Sequence, residues 1–187
     1  MRLLPLLTCL LLALPAAAQP SNVEVLSEMA VGCIPDQITG DGLVLDPPSR
    51  PPFLSGALVS ALQARDVTVL APEGAAASNL SMDLSRAAVA YGRAPGGRIA
   101  RTVSMAMAVR LVVDEVVVVD RLCEPSRSDV ISRAAAEQVN EPAYPETRAD
   151  VPQSLWQRAV QPAVITLATA AGTVLFFSLR SRRADGG

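Results

Sequence analysis

The chain has 187 residues, 50% of them hydrophobic and only 18% charged, with a formal net charge of −2 and a mean hydropathy of +0.33. This is too apolar for a disordered chain, and the charge balance gives nucleic acid no electrostatic footprint. There is no histidine, and all 16 basic residues are arginine, which excludes Ser-His and Ser-Lys hydrolysis within this chain and removes the commonest metal ligand.

Residues 1–18 begin with Arg2, continue as an apolar run to Leu14, break at Pro15 and end Ala16-Ala17-Ala18 before Gln19. A charged start, a short apolar stretch and small residues ahead of the cut define a cleaved secretory signal, with cleavage between Ala18 and Gln19. Cys9 lies inside the apolar run, so it leaves with the signal.

Residues 19–140 are then one small exported domain of roughly 120 residues, enough to bury a single core. Val23 to Met29 reads as a β-capable apolar segment. Residues 36–52 read as a Gly/Asp/Pro loop, because Pro47-Pro48 and Pro51-Pro52 oppose regular structure. A helix follows with Ser49 or Arg50 near its cap, since Phe53, Leu54, Ala57, Leu58, Ala61 and Leu62 form one stripe at the helical period.

Residues 67–70 form a short strand. Leu80, Met82 and Leu84 alternate with Ser81, Asp83 and Ser85, and the apolar set changes parity by Val89 and Tyr91, which places a bulge near residues 85–88. After the Ala94-Pro95-Gly96-Gly97 turn, Val103, Met105, Met107, Val109, Leu111 and Val113 share one strand face. Asp114-Glu115 turns the chain into residues 116–122, a β-branched run without alternation that suggests a strand covered on both faces. A helix is expected over 129–139 with Ser128 capping. The predicted fold class is α+β: a small two-layer sandwich of an antiparallel meander sheet with one or two helices, plus one C-terminal transmembrane helix.

Residues 141–161, with prolines at 142, 145 and 152, read as a semi-rigid stalk. Residues 162–179 carry no charge, and at 1.5 Å per residue they cover roughly 27 Å of a hydrocarbon core about 30 Å thick. This is a single membrane span. Trp156 suits one interface, while Arg180, Arg182 and Arg183 in the 180–187 tail suit the cytoplasmic side. The expected location is the cytoplasmic membrane, single-pass, with the domain in the periplasm or outside and the C-terminus in the cytoplasm. Ala168 and Gly172 form a weak small-xxx-small pattern in the span.

Cys33 and Cys123 remain after signal cleavage, and an even pair in an exported domain points to a disulfide. The alternative is two separate thiols. No C-x-x-C is present. Asp36, Asp41 and Asp46 are candidate carboxylates for polymer hydrolysis or, more simply, solvate a turn-rich loop. Gly40-Asp41-Gly42 lacks the third glycine of a dinucleotide loop, and the acids lack calcium-loop spacing. No cofactor or metal is implied. Asn79-Leu80-Ser81 has the glycosylation form. Arg98, Arg101, Arg110, Arg121, Arg127 and Arg133 read as charges on a solvated sheet face, or as contacts to anionic lipid or protein.

These features point to a membrane-tethered extracytoplasmic adaptor that recruits another envelope protein during assembly or transport of an envelope component. Two rivals stay open: a carboxylate enzyme acting on a cell-wall or surface polymer, and an auxiliary subunit acting through its transmembrane helix.

Overall fold

The computed structural model describes residues 19–38, 42–71 and 76–184, so residues 1–18, where a signal is expected, and Asp41 lie outside the described residues. Helix α1 (Asn22–Gly32) replaces the expected strand over 23–29. Its start is fixed by a reciprocal cap: the Glu24 N–H donates to Ser21 Oγ at 3.1 Å, and the Ser21 N–H donates to the Glu24 carboxylate at 2.6 Å. Val25, Leu26, Met29 and Ala30 then bury one face at helical spacing.

The expected loop over 36–52 contains a strand, β1 (Leu43–Asp46), whose Leu43, Val44 and Leu45 are all buried. Three apolar residues between Gly42 and Asp46-Pro47 suffice because β1 has a strand on each side. It pairs in parallel with β2 (Val69–Leu70) and with β3 (Ser78–Arg93). Helix α2 (Pro52–Gln63) connects β1 to β2, beginning with Pro51 at the cap position rather than Ser49 or Arg50. Leu54, Leu58 and Leu62 are fully buried on its inner face. Replacing Leu58 by alanine is expected to cost about 2–5 kcal/mol, read as a lower urea midpoint with unchanged slope.

Strand β3 pairs antiparallel with β4 (Ile99–Val113) along almost its whole length, with the register shift between Leu84 and Arg86. The predicted bulge is therefore present, at the upstream end of its expected range. Val103, Met105, Met107, Val109 and Leu111 are buried in one row and share a single core with α1, α2 and β1. The sheet is mixed rather than a pure meander, in the order β2-β1-β3-β4-β5.

The last edge departs most from the sequence reading. β5 (Val116–Cys123) pairs with the Met107–Val113 half of β4, and β6 (Ser126–Ile131) pairs with the Ile99–Ser104 half. They follow one another along the same edge, and Met105 N–H donates to Pro125 O across the break. Residues 129–131 are thus strand. The following helix, α3 (Arg133–Gln138), is shorter than expected and is capped by Ser132, not Ser128.

The segment after Asn140 does not stand away from the domain. Thr147 is fully buried, Tyr144 meets Phe53 edge-on with ring centroids 4.8 Å apart, and Val151 packs against the cluster of Ile99, Ile131, Ala136 and Val139. Helix α4 (Leu155–Ala184) begins four residues later and contains Trp156, Arg180, Arg182 and Arg183 within its span. Residues Gln157–Phe176 make it the one helix among the described residues long and apolar enough to cross a membrane.

Candidate functional site

The register of β4 places Arg101 in the same row as Ile99 and Val103, facing inward, and it is 1% exposed. It is not part of a solvated arginine stripe, as the sequence suggested. Opposite it in the ladder stands Asp129 of β6. The guanidinium grips that carboxylate with two parallel hydrogen bonds, Nε to Oδ1 at 2.8 Å and Nη2 to Oδ2, the bidentate geometry arginine is shaped for. Its remaining nitrogen, Nη1, donates to Pro20 O at 2.8 Å and to Asn22 Oδ1 at 3.2 Å.

Asn22, the first residue of α1, passes the network onward. Its Nδ2 has two N–H groups for three nearby acceptors, Thr147 O at 2.8 Å, Tyr91 Oη at 2.9 Å and Asn140 Oδ1 at 3.2 Å, so one N–H is shared. The Tyr91 hydroxyl donates in turn to Asn140 Oδ1 at 2.9 Å. No buried side-chain nitrogen or oxygen among the described residues lacks a partner. The network joins the start of α1, β3, β4, β6 and residues 140–149.

Burial raises the Tyr91 pKa above its ordinary value of 10.0, an effect larger than the opposing hydrogen bond from Asn22. The folded state therefore holds the neutral phenol more tightly than the unfolded chain does. Its contribution is complete below pH 10 and is lost as pH rises through the folded pKa. Tyr91→Phe should flatten that alkaline loss of stability, measurable as melting temperature against pH between 9 and 12.

The second arrangement is on the surface. Val116, Val117, Val118 and Leu122 are 63%, 42%, 50% and 57% exposed, so the apolar run expected to be covered on both faces is largely open, with Val119 packed against the core. β5 ends the sheet, leaving one side of its backbone without a strand neighbour. Native sheets normally guard such an edge with charge, proline or a bulge. Here the guards sit further along, at Asp120, Arg121, Glu124 and Pro125, while 116–119 has only the register shift between Leu111 and Val112 beside it.

Cys33 and Cys123 form a disulfide, with Cα atoms 6.0 Å apart and a sequence separation of 90. The bond ties the C-cap of α1 to the end of β5, beside a hydrogen bond from Arg121 to Cys33 O at 3.3 Å. The other arginines scatter: Arg127 pairs with Glu28 at 2.6 Å, Arg98 donates to Val130 O at 2.7 Å, and Arg110 is exposed on the sheet. Asp46 ends β1 and accepts from Ser81 Oγ at 3.4 Å, whereas Asp36 lies in a turn after α1. Among the described residues no group of three His, Cys, Asp or Glu is placed to hold a metal ion.

Sequence reasoning missed Arg101 and Asp129, although Arg101 has the odd-numbered parity of the core row Val103 to Leu111. No protein-family model matches the chain, and no curated protein gives a significant match to it.

Proposed function

We propose that the chain is a membrane-tethered extracytoplasmic binding module that recruits another envelope protein by adding a partner strand to β5. The observation that carries this reading is the open edge at Val116–Cys123 with its exposed valines. Strand addition uses free main-chain donors and acceptors for affinity and alternate side chains for specificity. The partner implied is an extended segment with apolar side chains on one face.

The position of the edge supports this. Residue Arg93, at the far end of β3, donates to Gln153 O just before α4, so the β3–β4 turn lies at the end of the sheet that meets the helix. Val116 and Val117 pair with the opposite end of β4, about 40 Å along the strand at 3.3 Å per residue. A patch so far from the helix faces a protein, not the bilayer. In this reading α4 crosses the cytoplasmic membrane, the disulfide-bonded domain lies on the oxidising side, and Arg180, Arg182 and Arg183 stay in the cytoplasm.

The hydroxyls of Thr166, Thr169 and Thr173 donate to carbonyls four residues earlier on α4, at 2.8, 2.8 and 2.9 Å. They are satisfied within the helix, which favours an anchor over a helix that acts by polar contacts with other spans.

The test is a photo-crosslinking residue introduced in living cells at 116 or 122, both exposed, with exposed position 65 as control. One envelope protein should attach from the edge positions alone, and Val117→Asp with Val118→Asp should abolish the adduct while leaving the protein folded and membrane-bound. Equal labelling from position 65, or an adduct that survives both aspartates, would refute docking at β5.

A further inference from the structure

Three arginines converge where the domain meets α4. Arg93 ends β3, Arg98 follows the tight turn that leads into β4, and Arg133 opens α3. The turn between the first two needs a left-handed backbone at Gly96 and Gly97, with φ of 71° and 73°. Ala94 N–H closes it on Arg98 O at 3.0 Å. Together with Ala94, Gly97, Gln153 and Ser154, the three arginines line a cavity of about 390 Å³.

The charge in this cavity is uncompensated. Among the described residues none of the three arginines forms an ion pair; the ion pairs are Arg86–Glu124, Arg101–Asp129 and Arg127–Glu28. Among the described residues no acidic one lines the cavity. Arg93 and Arg98 each donate to one carbonyl, Gln153 O and Val130 O. A guanidinium carries five N–H donors, so both keep donors free.

Ser154 lies three residues before Gln157, where the candidate span begins, a rise of about 4.5 Å along a helix. The polar headgroup zone of a bilayer extends several ångströms beyond the hydrocarbon on each side. With the hydrocarbon edge between Gln157 and Pro162, Ser154 lies about 4.5–12 Å outside it, in the headgroup zone or at its outer margin when the span is embedded, where the most concentrated anion is a lipid phosphate.

We infer that Arg93, Arg98 and Arg133 form a binding site for the phosphate headgroup of an anionic phospholipid. Arginine suits this task because its planar fork takes two phosphate oxygens at once. The site has nothing to do with the β5 edge; it rests only on the membrane tether, which alkaline extraction of membranes checks separately. Its consequence is that the bound lipid fixes the domain's tilt on the bilayer.

The test uses the full chain in mild detergent, titrated with phosphatidylglycerol, phosphatidylcholine or inorganic phosphate and followed by native mass spectrometry. Phosphatidylglycerol should bind at least tenfold more tightly than phosphatidylcholine. Each arginine near a membrane surface is worth about 1 kcal/mol, so Arg93→Gln, Arg98→Gln and Arg133→Gln should together weaken phosphatidylglycerol about a hundredfold and singly about fivefold. Arg65→Gln and Arg110→Gln, elsewhere on the surface, should change nothing. The single variants keep the test valid should the triple variant not fold. Equal binding of the two lipids, unchanged affinity in the single variants, or phosphate that binds as tightly as the lipid would each overturn the assignment.

Discussion

Asp129→Asn is expected to destabilise the folded domain by about 3–5 kcal/mol, the usual cost of stranding one member of a buried ion pair. The reason lies with Arg101 rather than with the aspartate. Arg101 is 1% exposed and Asp129 31%, so the substitution leaves a charge that water cannot reach. Asn22 and Pro20 supply acceptors to only one guanidinium nitrogen. The double variant Arg101→Met with Asp129→Leu should recover only part of the loss: it removes the charge along with its partner, but it strands Pro20 O and the buried Asn22 Oδ1, which accept from Arg101 Nη1. Urea unfolding of both variants, followed by far-ultraviolet circular dichroism in detergent, measures this. An asparagine variant within 1 kcal/mol of the parent would mean that the pair does not hold this corner of the fold.

Removing the disulfide should rank equally high. Cys33 and Cys123 are separated by 90 positions, and the chain-entropy model gives about 4–5 kcal/mol for a loop of that length. Cys33→Ser with Cys123→Ser should therefore lower the denaturant midpoint steeply, and mild reduction should reproduce the effect on the parent protein. The local damage should centre on the C-terminus of α1 and the end of β5, where hydrogen exchange should accelerate first. A reduced protein that unfolds at the same denaturant concentration as the oxidised one would dismiss the bond as a contributor to stability.

What could be read from the sequence depended on how each element is buried. α2, β3 and β4 each present one face to the core, so Leu54-Leu58-Leu62 and the row from Val103 to Leu111 show their period openly. α1 was obscured by the β-branched Val23 and Val25, although the Ser21-to-Glu24 spacing is a helix-start signature. β1 is too short to show any period. β5 misled because continuous valine means a covered strand only where something covers it. β6, with Ser126-Arg127-Ser128-Asp129, looks like a loop until its pairing with β4 is known. The cysteine pair was legible from its count and compartment. The Arg101–Asp129 pair was not, because 28 residues separate its members and only the strand register brings them together.

The fastening of residues 140–151 also has a mechanical meaning. A flexible spacer of 21 residues, 141–161, would let the domain wander through a volume whose radius grows as about 5–6 Å times the square root of its length. Instead, Asn22 and Tyr91 hold Asn140, Asn22 holds Thr147 O, and Val151 is packed, so hardly more than three residues of chain separate the domain from α4. A tether that short narrows the volume through which the open edge of β5 can move. If β5 docks a partner as proposed, that restriction raises its effective concentration without any added contact. Any load on the helix is shared among Gln153, the packed Val151 and the hydrogen bonds that hold Thr147 and Asn140.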